Sequence, residues 1–170
     1  VAAKRLARND SSVIAFIGCG VQAHSHLQAF SDLFPLTELR AFNRGRENRD
    51  ILCRTAESKG LVAIACDSAE EAFSGADLII SSITLSQTVT PFIDAAWLKP
   101  GAFASLVDLG IPWFDDSMAA FDRIIIDDLE QESKMDKPLV DLSLVTGDLT
   151  GLVTGVADGR LASSEKTAFV

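Results

Sequence analysis

A buried strand that runs straight into two glycines, and from them straight into a helix, leaves a chain few folds to choose from. The stretch Ile14 to Phe30, IAFIGCGVQAHSHLQAF, does this. SVIAFIG reads as a covered strand, and Gly18-Cys19-Gly20-Val21-Gln22-Ala23 fits G-x-G-x-x-A between that strand and a helix. Each small residue has a separate physical task. Gly18 permits the tight turn, Gly20 lets a pyrophosphate approach the backbone, and Ala23 allows helix and strand to pack closely. The helix start at Val21, Gln22 and Ala23 then offers unpaired N–H groups and a positive dipole end to phosphates. The spacing alone is weak, but opening a strand–helix–strand unit it predicts a dinucleotide site.

The rest of the chain supplies that context. TELRAFNR, LVAIAC, DLIISSI, GAFASLVDLG and DRIIIDD read as five further strands. They are continuous apolar runs, the pattern of parallel strands covered on both faces. Helical stretches alternate with them. VQAHSHLQAFSDLF places Val21, Leu27, Phe30 and Phe34 on one face and ends at Pro35. GRENRDILCRTAESKG turns Ile51, Leu52 and Ala56 inward, with Gly60 past its end. DSAEEAFSGA starts on Asp67 or Ser68 with an acidic first turn. A short helix is expected over 148–153. The fold class is therefore α/β, a doubly wound, mainly parallel sheet of the Rossmann dinucleotide-binding kind. A leading helix over 1–10 lies outside the sheet, the cofactor domain spans 11–160, and 161–170 begins a segment leaving for a substrate or dimerisation domain. The ends at Val1 and Val170 predict a longer protein.

Which dinucleotide is a question for the end of the second strand. An acidic residue about 20 positions beyond the glycines selects NAD by holding the ribose 2′-hydroxyl. Here Asn43-Arg44-Gly45-Arg46 stands instead. Arg44 and Arg46 can pair with a 2′-phosphate and Asn43 can add a hydrogen bond, which favours NADP(H) over NAD(H). With both arginines solvated, Asn43 still suffices for an NAD ribose. Ser82 and Thr84, after the fourth strand, are placed to line the cofactor near the nicotinamide, or to cap their own loop. Asp108 ends the fifth strand, where a catalytic group would face the nicotinamide; an isolated carboxylate there is costly unless used or paired.

Other features narrow the function classes. A formal net charge of −9 argues against a general nucleic-acid binder. No apolar run approaches the roughly 20 residues of a membrane-spanning helix. Cys19, Cys53 and Cys66 lack metal-ligand spacing and read as reduced thiols of a cytoplasmic protein. Lying in the glycine loop, Cys19 meets partial positive charge that would lower its pKa, or is simply a small side chain tolerated there. His24 and His26, two apart on a helix, share no face and read as surface residues. Trp97 and Trp113 are core or interface candidates.

Taken together, the landmarks resemble those of the ornithine cyclodeaminase/mu-crystallin family over nearly the whole chain. Gly18 to Ala23 resembles its G-x-G-x-Q-A loop, and Asn43-Arg44 is similar to the same place in its NADP-binding members. Pro91, Trp97-Leu98-Lys99-Pro100-Gly101, Asp127-Asp128, Gly147-Asp148-Leu149, Gly155 and Gly159-Arg160 resemble its later landmarks. The resemblance implies a two-domain, dimeric protein acting on a small amino acid or cyclic imine. Ornithine cyclodeamination, ketimine reduction and alanine dehydrogenation share hydride transfer at an amine- or imine-bearing carbon. A carrier or sensor of the mu-crystallin kind, without turnover, is the alternative. By this resemblance Asp108 matches an aspartate that handles protons and holds the substrate amine. The family follows that aspartate closely with Pro-Gly, whereas Leu109-Gly110-Ile111-Pro112 follows here. The carboxylate-binding Lys and Arg residues of the family would lie before Val1, so this stretch alone is expected to be inactive.

Overall fold

The computed structural model describes residues 1–84 and 89–170. Its centre is one parallel sheet. β1 (Val13–Ile17) pairs with β2 (Glu38–Phe42) on one side and β4 (Leu78–Ser81) on the other, and β2 pairs with β3 (Val62–Ala65). Beyond β4 lie β5 (Phe103–Leu106), β8 (Thr167–Phe169), β6 (Arg123–Ile126) and β7 (Val145–Asp148), giving the order β3-β2-β1-β4-β5-β8-β6-β7. The order reverses between β1 and β4. In a doubly wound sheet that reversal opens a crevice beyond the carboxyl ends of the strands.

Successive side chains of a strand point to opposite faces, and the core divides accordingly. Ala15, Ile17 and Ile79 pack on one face with Phe73, Trp113 and Phe121. Ile14, Phe16, Leu78 and Ile80 pack on the other with Leu6, Leu27 and Leu52. Buried on both faces, β1 and β4 have to be apolar at nearly every position, and this made them readable. β3 is different: it is an edge strand, half exposed, with Val62 open to solvent, so its apolar run does not mean two-sided cover.

The helices follow their expected stretches with local corrections. α1 (Ala2–Leu6) packs Leu6 into the second face of the sheet. α2 (Val21–Ser31) buries Ala23, Leu27 and Phe30; Val21, expected on that face, is 84% exposed. α3 (Arg46–Ser58) buries Leu52, Cys53 and Ala56, while Ile51 points outward; Gly60 follows it in the left-handed region at φ +84°. Ser68, not Asp67, caps α4 (Ala69–Phe73), its Oγ accepting the Glu71 N–H at 3.0 Å. Asp128 caps α5 (Leu129–Glu132) and Asp148 caps α6 (Leu149–Thr154). Trp113 is core and Trp97 is half-buried against it.

Two strands were not expected. β7 contains a glycine and a register irregularity, which weaken a strand signal. β8 falls within 161–170, the stretch expected to begin a segment running to a further domain. Its residues 167–169 are hydrogen-bonded between β5 and β6. Arg160 locks it there: its guanidinium donates to the carbonyls of Leu6 at 2.7 Å and Ala102 at 3.2 Å, and to Thr167 Oγ1 at 3.1 Å. Thr167 Oγ1 in turn donates to Leu6 O at 2.8 Å.

Candidate cofactor site

At the carboxyl ends of β1, β2 and β4 the described residues enclose a cavity of about 430 Å³. The glycine turn forms its floor. Gly18 has φ +91°, and a Cβ there would lie 2.6 Å from Ser82 O, so both conformation and space demand glycine. Gly20 faces the cavity, and a Cβ on it would meet nothing within 4 Å. Open space in front of a bare backbone is what a bound pyrophosphate requires. Among the described residues, the N–H of Cys19 goes to Asn43 Oδ1 at 3.3 Å and that of Ala23 to Gly20 O at 3.0 Å. Those of Gly20, Val21 and Gln22 have no protein acceptor among the described residues. Ala23 is fully buried between α2 and β1. The residues present therefore fit a dinucleotide diphosphate.

The wall beyond β2 carries Asn43 and Arg44. Asn43 is less free than its place in the chain implies. Its Oδ1 accepts the Cys19 N–H and its Nδ2 donates to Gly45 O at 2.8 Å, tying the glycine loop to the start of α3. Arg44 lines the cavity and is exposed. Arg46, the first residue of α3, is not among the described lining residues, whereas Asn48 one half-turn later is. Asn48 had no signal of its own; counting along the first turn of α3 would have found it. Phe42 and Phe92 meet edge to face at 6.4 Å and add an apolar wall.

The wall beyond β4 carries Ser82, Ile83 and Thr84. Ser82 N donates to Ile17 O at 2.8 Å and its Oγ to Gly18 O at 3.4 Å, holding this wall against the glycine turn. Asp108 is not among the described lining residues. It is 1% exposed, and its carboxylate lies behind the wall. Oδ1 accepts from Ser81 Oγ at 2.9 Å and Oδ2 from Ile83 N at 3.2 Å. Ser81 Oγ also accepts from Trp113 Nε1 at 2.9 Å. Burial pushes the Asp108 carboxyl above the usual carboxylate range, opposed by the N–H of Ile83 and the hydroxyl of Ser81. The expected catalytic aspartate is thus drawn into the protein by two donors instead of pointing at the cavity.

Two further expectations resolve here. Burial pushes the Cys19 thiol up to about 12, so the loop gives it no thiolate character, and its Sγ donates to Phe42 O at 3.5 Å. All three cysteines are buried free thiols. His26 meets Gln22 O at 2.8 Å on an exposed helix face, outside the described cavity lining. Among the described residues no helix is long and apolar enough to cross a membrane.

Comparison with known proteins agrees with this geometry. The model of the ornithine cyclodeaminase/mu-crystallin family matches residues 1–170. The chain is 34% identical over 137 residues to ketimine reductase mu-crystallin of Mus musculus, covering 79% of this chain and 42% of that protein. It is 29% identical over 179 residues to alanine dehydrogenase of Archaeoglobus fulgidus, covering 99% and 54%. Among solved structures, Δ(1)-pyrroline-2-carboxylate reductase of Thermococcus litoralis, in complex with NADH and L-proline, superposes with a TM-score of 0.82 at 22% identity, covering 99% of this chain and 55% of that one. An archaeal alanine dehydrogenase dimer with bound NAD superposes with a TM-score of 0.79 at 26% identity, covering 99% and 54%. The chain spans about half the length of the curated relatives it matches.

Proposed function

Because the chain belongs to the ornithine cyclodeaminase/mu-crystallin family, we propose that it is the dinucleotide-binding half of an enzyme acting on an amino acid or cyclic imine. The observation that carries this is Gly20, bare and facing the cavity between the Asn43–Arg44 wall and the Ser82–Thr84 wall. When bound, the nicotinamide supplies or accepts hydride at the carbon next to the amine or imine nitrogen.

The chain's own residues do the holding. The N–H groups of Gly20, Val21 and Gln22, at the positive end of α2, take the diphosphate. Arg44 pairs with a 2′-phosphate, and no carboxylate lies among the described lining residues to repel one, which favours NADP(H). Asn43 keeps the loop shaped and Arg46 contributes charge from the rim. Phe42 and Phe92 exclude water from one side of the cavity. The Ser82–Thr84 wall bounds the nicotinamide half, since the adenosine half belongs over β2.

A second domain and a partner copy would complete the substrate site and the homodimer, as the length of the relatives suggests. One observation favours the carrier or sensor reading: with Asp108 behind the wall, the described lining holds no carboxylate or histidine to move a proton. Two measurements on the full-length protein decide. Calorimetric titration is expected to show tighter binding of NADPH than NADH; equal or reversed affinities remove the arginine reading. Screening cyclic imines and L-amino acids for cofactor absorbance change, and for ammonia release where hydride is returned to the product, is expected to find turnover. Tight cofactor binding without turnover on any of them would favour the carrier.

A further inference from the structure

We propose that Asp108 is a positioning residue: through Ser81, Ile83 and Trp113 it holds the wall of the cavity on which the nicotinamide half of the dinucleotide rests. The inference rests on the cofactor reading above and adds a division of labour to it.

The loop that follows β5 is tied to two residues of the cavity wall. Asp108 Oδ2 accepts the Ile83 N–H at 3.2 Å, and Pro112 O accepts the Phe92 N–H at 2.8 Å. Ile83 and Phe92 both line the cavity. The loop is itself tightly wound. Ile111 N donates to Asp108 O at 3.2 Å, Trp113 N to Gly110 O at 2.9 Å, and Leu109 sits at φ +60°, which a branched side chain adopts only when its surroundings hold it there. Trp113, buried against Phe73 and Phe121, is the rigid end of the chain of bonds. Its Nε1–H fixes the Ser81 hydroxyl as donor to Asp108, because Ser81 Oγ accepts from the indole and so turns its own proton to the carboxylate. Asp108 then has both oxygens committed, one to β4 and one to the peptide just beyond it. Ser81, Asp108 and Trp113 are each at most 1% exposed, so these bonds are not exchanged with solvent.

The geometry gives this network an effect confined to one half of the ligand. Ile83 borders the cavity on the β4 side, while the diphosphate and adenosine positions are made by the glycine turn and by β2. Loosening Ile83 should cost affinity for a whole dinucleotide and leave a fragment lacking the nicotinamide untouched.

The test uses the full-length protein and calorimetric titration with NADPH, NADH and ADP. Asp108→Asn replaces one acceptor oxygen by a donor, Ser81→Ala deletes one hydroxyl, and Trp113→Phe deletes the indole donor. For each, Kd for the preferred dinucleotide is expected to rise about tenfold while Kd for ADP stays within about twofold. Thermal melts identify any variant that fails to fold, and Ser81→Ala, the smallest change, then carries the test. Equal weakening of ADP and dinucleotide means a merely structural network and overturns the proposal. So does Asp108→Asn that loses turnover with dinucleotide affinity intact, which would restore it as a proton-handling group. Unchanged binding of every ligand by all three variants overturns it as well. Wild-type protein that binds neither dinucleotide overturns the cofactor reading itself, and the division of labour with it.

Discussion

The two rims of the sheet, the amino and carboxyl ends of its strands (its closed and open edges), each bury an aspartate, and the two are held in opposite ways. Asp77 stands just before β4, at the amino ends of the strands. Its Oδ2 accepts the N–H groups of Ser12 at 2.9 Å and Val13 at 3.0 Å, and its Oδ1 pairs with Lys99 Nζ at 2.7 Å. Asp108 stands just beyond β5, at the carboxyl ends, and accepts from the Ser81 hydroxyl and the Ile83 N–H, with no cation paired to it among the described residues. Burial pushes both carboxyls up. At Asp77 the Lys99 ammonium and the two backbone N–H groups outweigh burial and hold it below the usual range; at Asp108 burial wins. A closed edge can be stapled by full charge neutralisation. The open edge, on the proposed cofactor reading the one that receives an anionic ligand, keeps its inner carboxylate hidden and ties it to the wall by neutral donors.

The change expected to hurt most strikes the open edge at its joint. Gly18→Ala places a Cβ 2.6 Å from Ser82 O in a backbone conformation at φ +91°. Left-handed strain and overpacking together should cost about 3 kcal/mol, lowering Tm by roughly 6–12 °C for a chain of this size. Because the turn and the Ser82 wall are pushed apart, dinucleotide binding should fall below calorimetric detection. A Gly18→Ala protein with wild-type affinity would show that the turn does not carry the diphosphate.

The closed edge answers to a different readout. Asp77→Asn keeps the shape but removes the charge facing Lys99, and is expected to cost about 2 kcal/mol near neutral pH, with dinucleotide affinity unchanged. Its pH dependence has a definite sign. A carboxyl held below its ordinary value of 3.8 stabilises the fold above that pH, and the contribution is lost as pH falls through the folded value. Urea unfolding should therefore separate variant from wild type near pH 7, with the gap closing below pH 3.8 and gone only once pH has fallen past the folded value. Asp108, held above its ordinary value, runs the other way: its burial penalty is complete at neutral pH and is relieved by protonation. A constant gap between Asp77→Asn and wild type down to acid would break the contrast between the edges.

A narrower effect is expected at the outer rim of the open edge. Arg44 is exposed and lines the cavity, so Arg44→Ala should leave stability alone. On the NADP(H) proposal, losing a charge-assisted bond to a 2′-phosphate should raise Kd for NADPH about 10- to 100-fold, with Kd for NADH within about twofold. Parallel titrations with the two cofactors read this directly, and equal losses would assign Arg44 to the diphosphate instead.

These contrasts explain what could and could not be read along the chain. β1 and β4 were legible because burial on both faces forces unbroken apolar runs, and the glycine turn because its spacing follows from local geometry. β8 was not: three residues, Thr167–Phe169, enter the middle of the sheet because nearby Arg160 and Leu6, at the other end of the chain, pin them there. Asp108 was legible as a carboxylate at a strand end, but its orientation was not. Ser81 lies 27 residues before it and Trp113 lies 32 residues beyond Ser81, and no local pattern joins such partners. Asn43 was found at the end of β2, yet its bond to the Cys19 N–H spans 24 residues and appears only once β1 and β2 lie side by side. Local rules reach a backbone's shape; the aim of a polar side chain depends on contacts made across the sheet.

The smallest expected effect tests whether the open edge is built of backbone at all. Val21 was expected on the inner face of its helix, but it is 84% exposed as the first residue of α2, and its N–H has no protein acceptor among the described residues. If its only service is that N–H, the side chain is free to change. Val21→Ser has nearly the same helix propensity and deletes no buried contact, so stability should move by less than about 0.5 kcal/mol. Dinucleotide Kd should stay within about twofold, because the N–H and the end of the helix dipole are untouched. A clear loss of affinity in Val21→Ser would mean that the side chain itself touches the ligand. The open edge would then resemble the closed one, a place where side chains and not peptide groups carry the interaction.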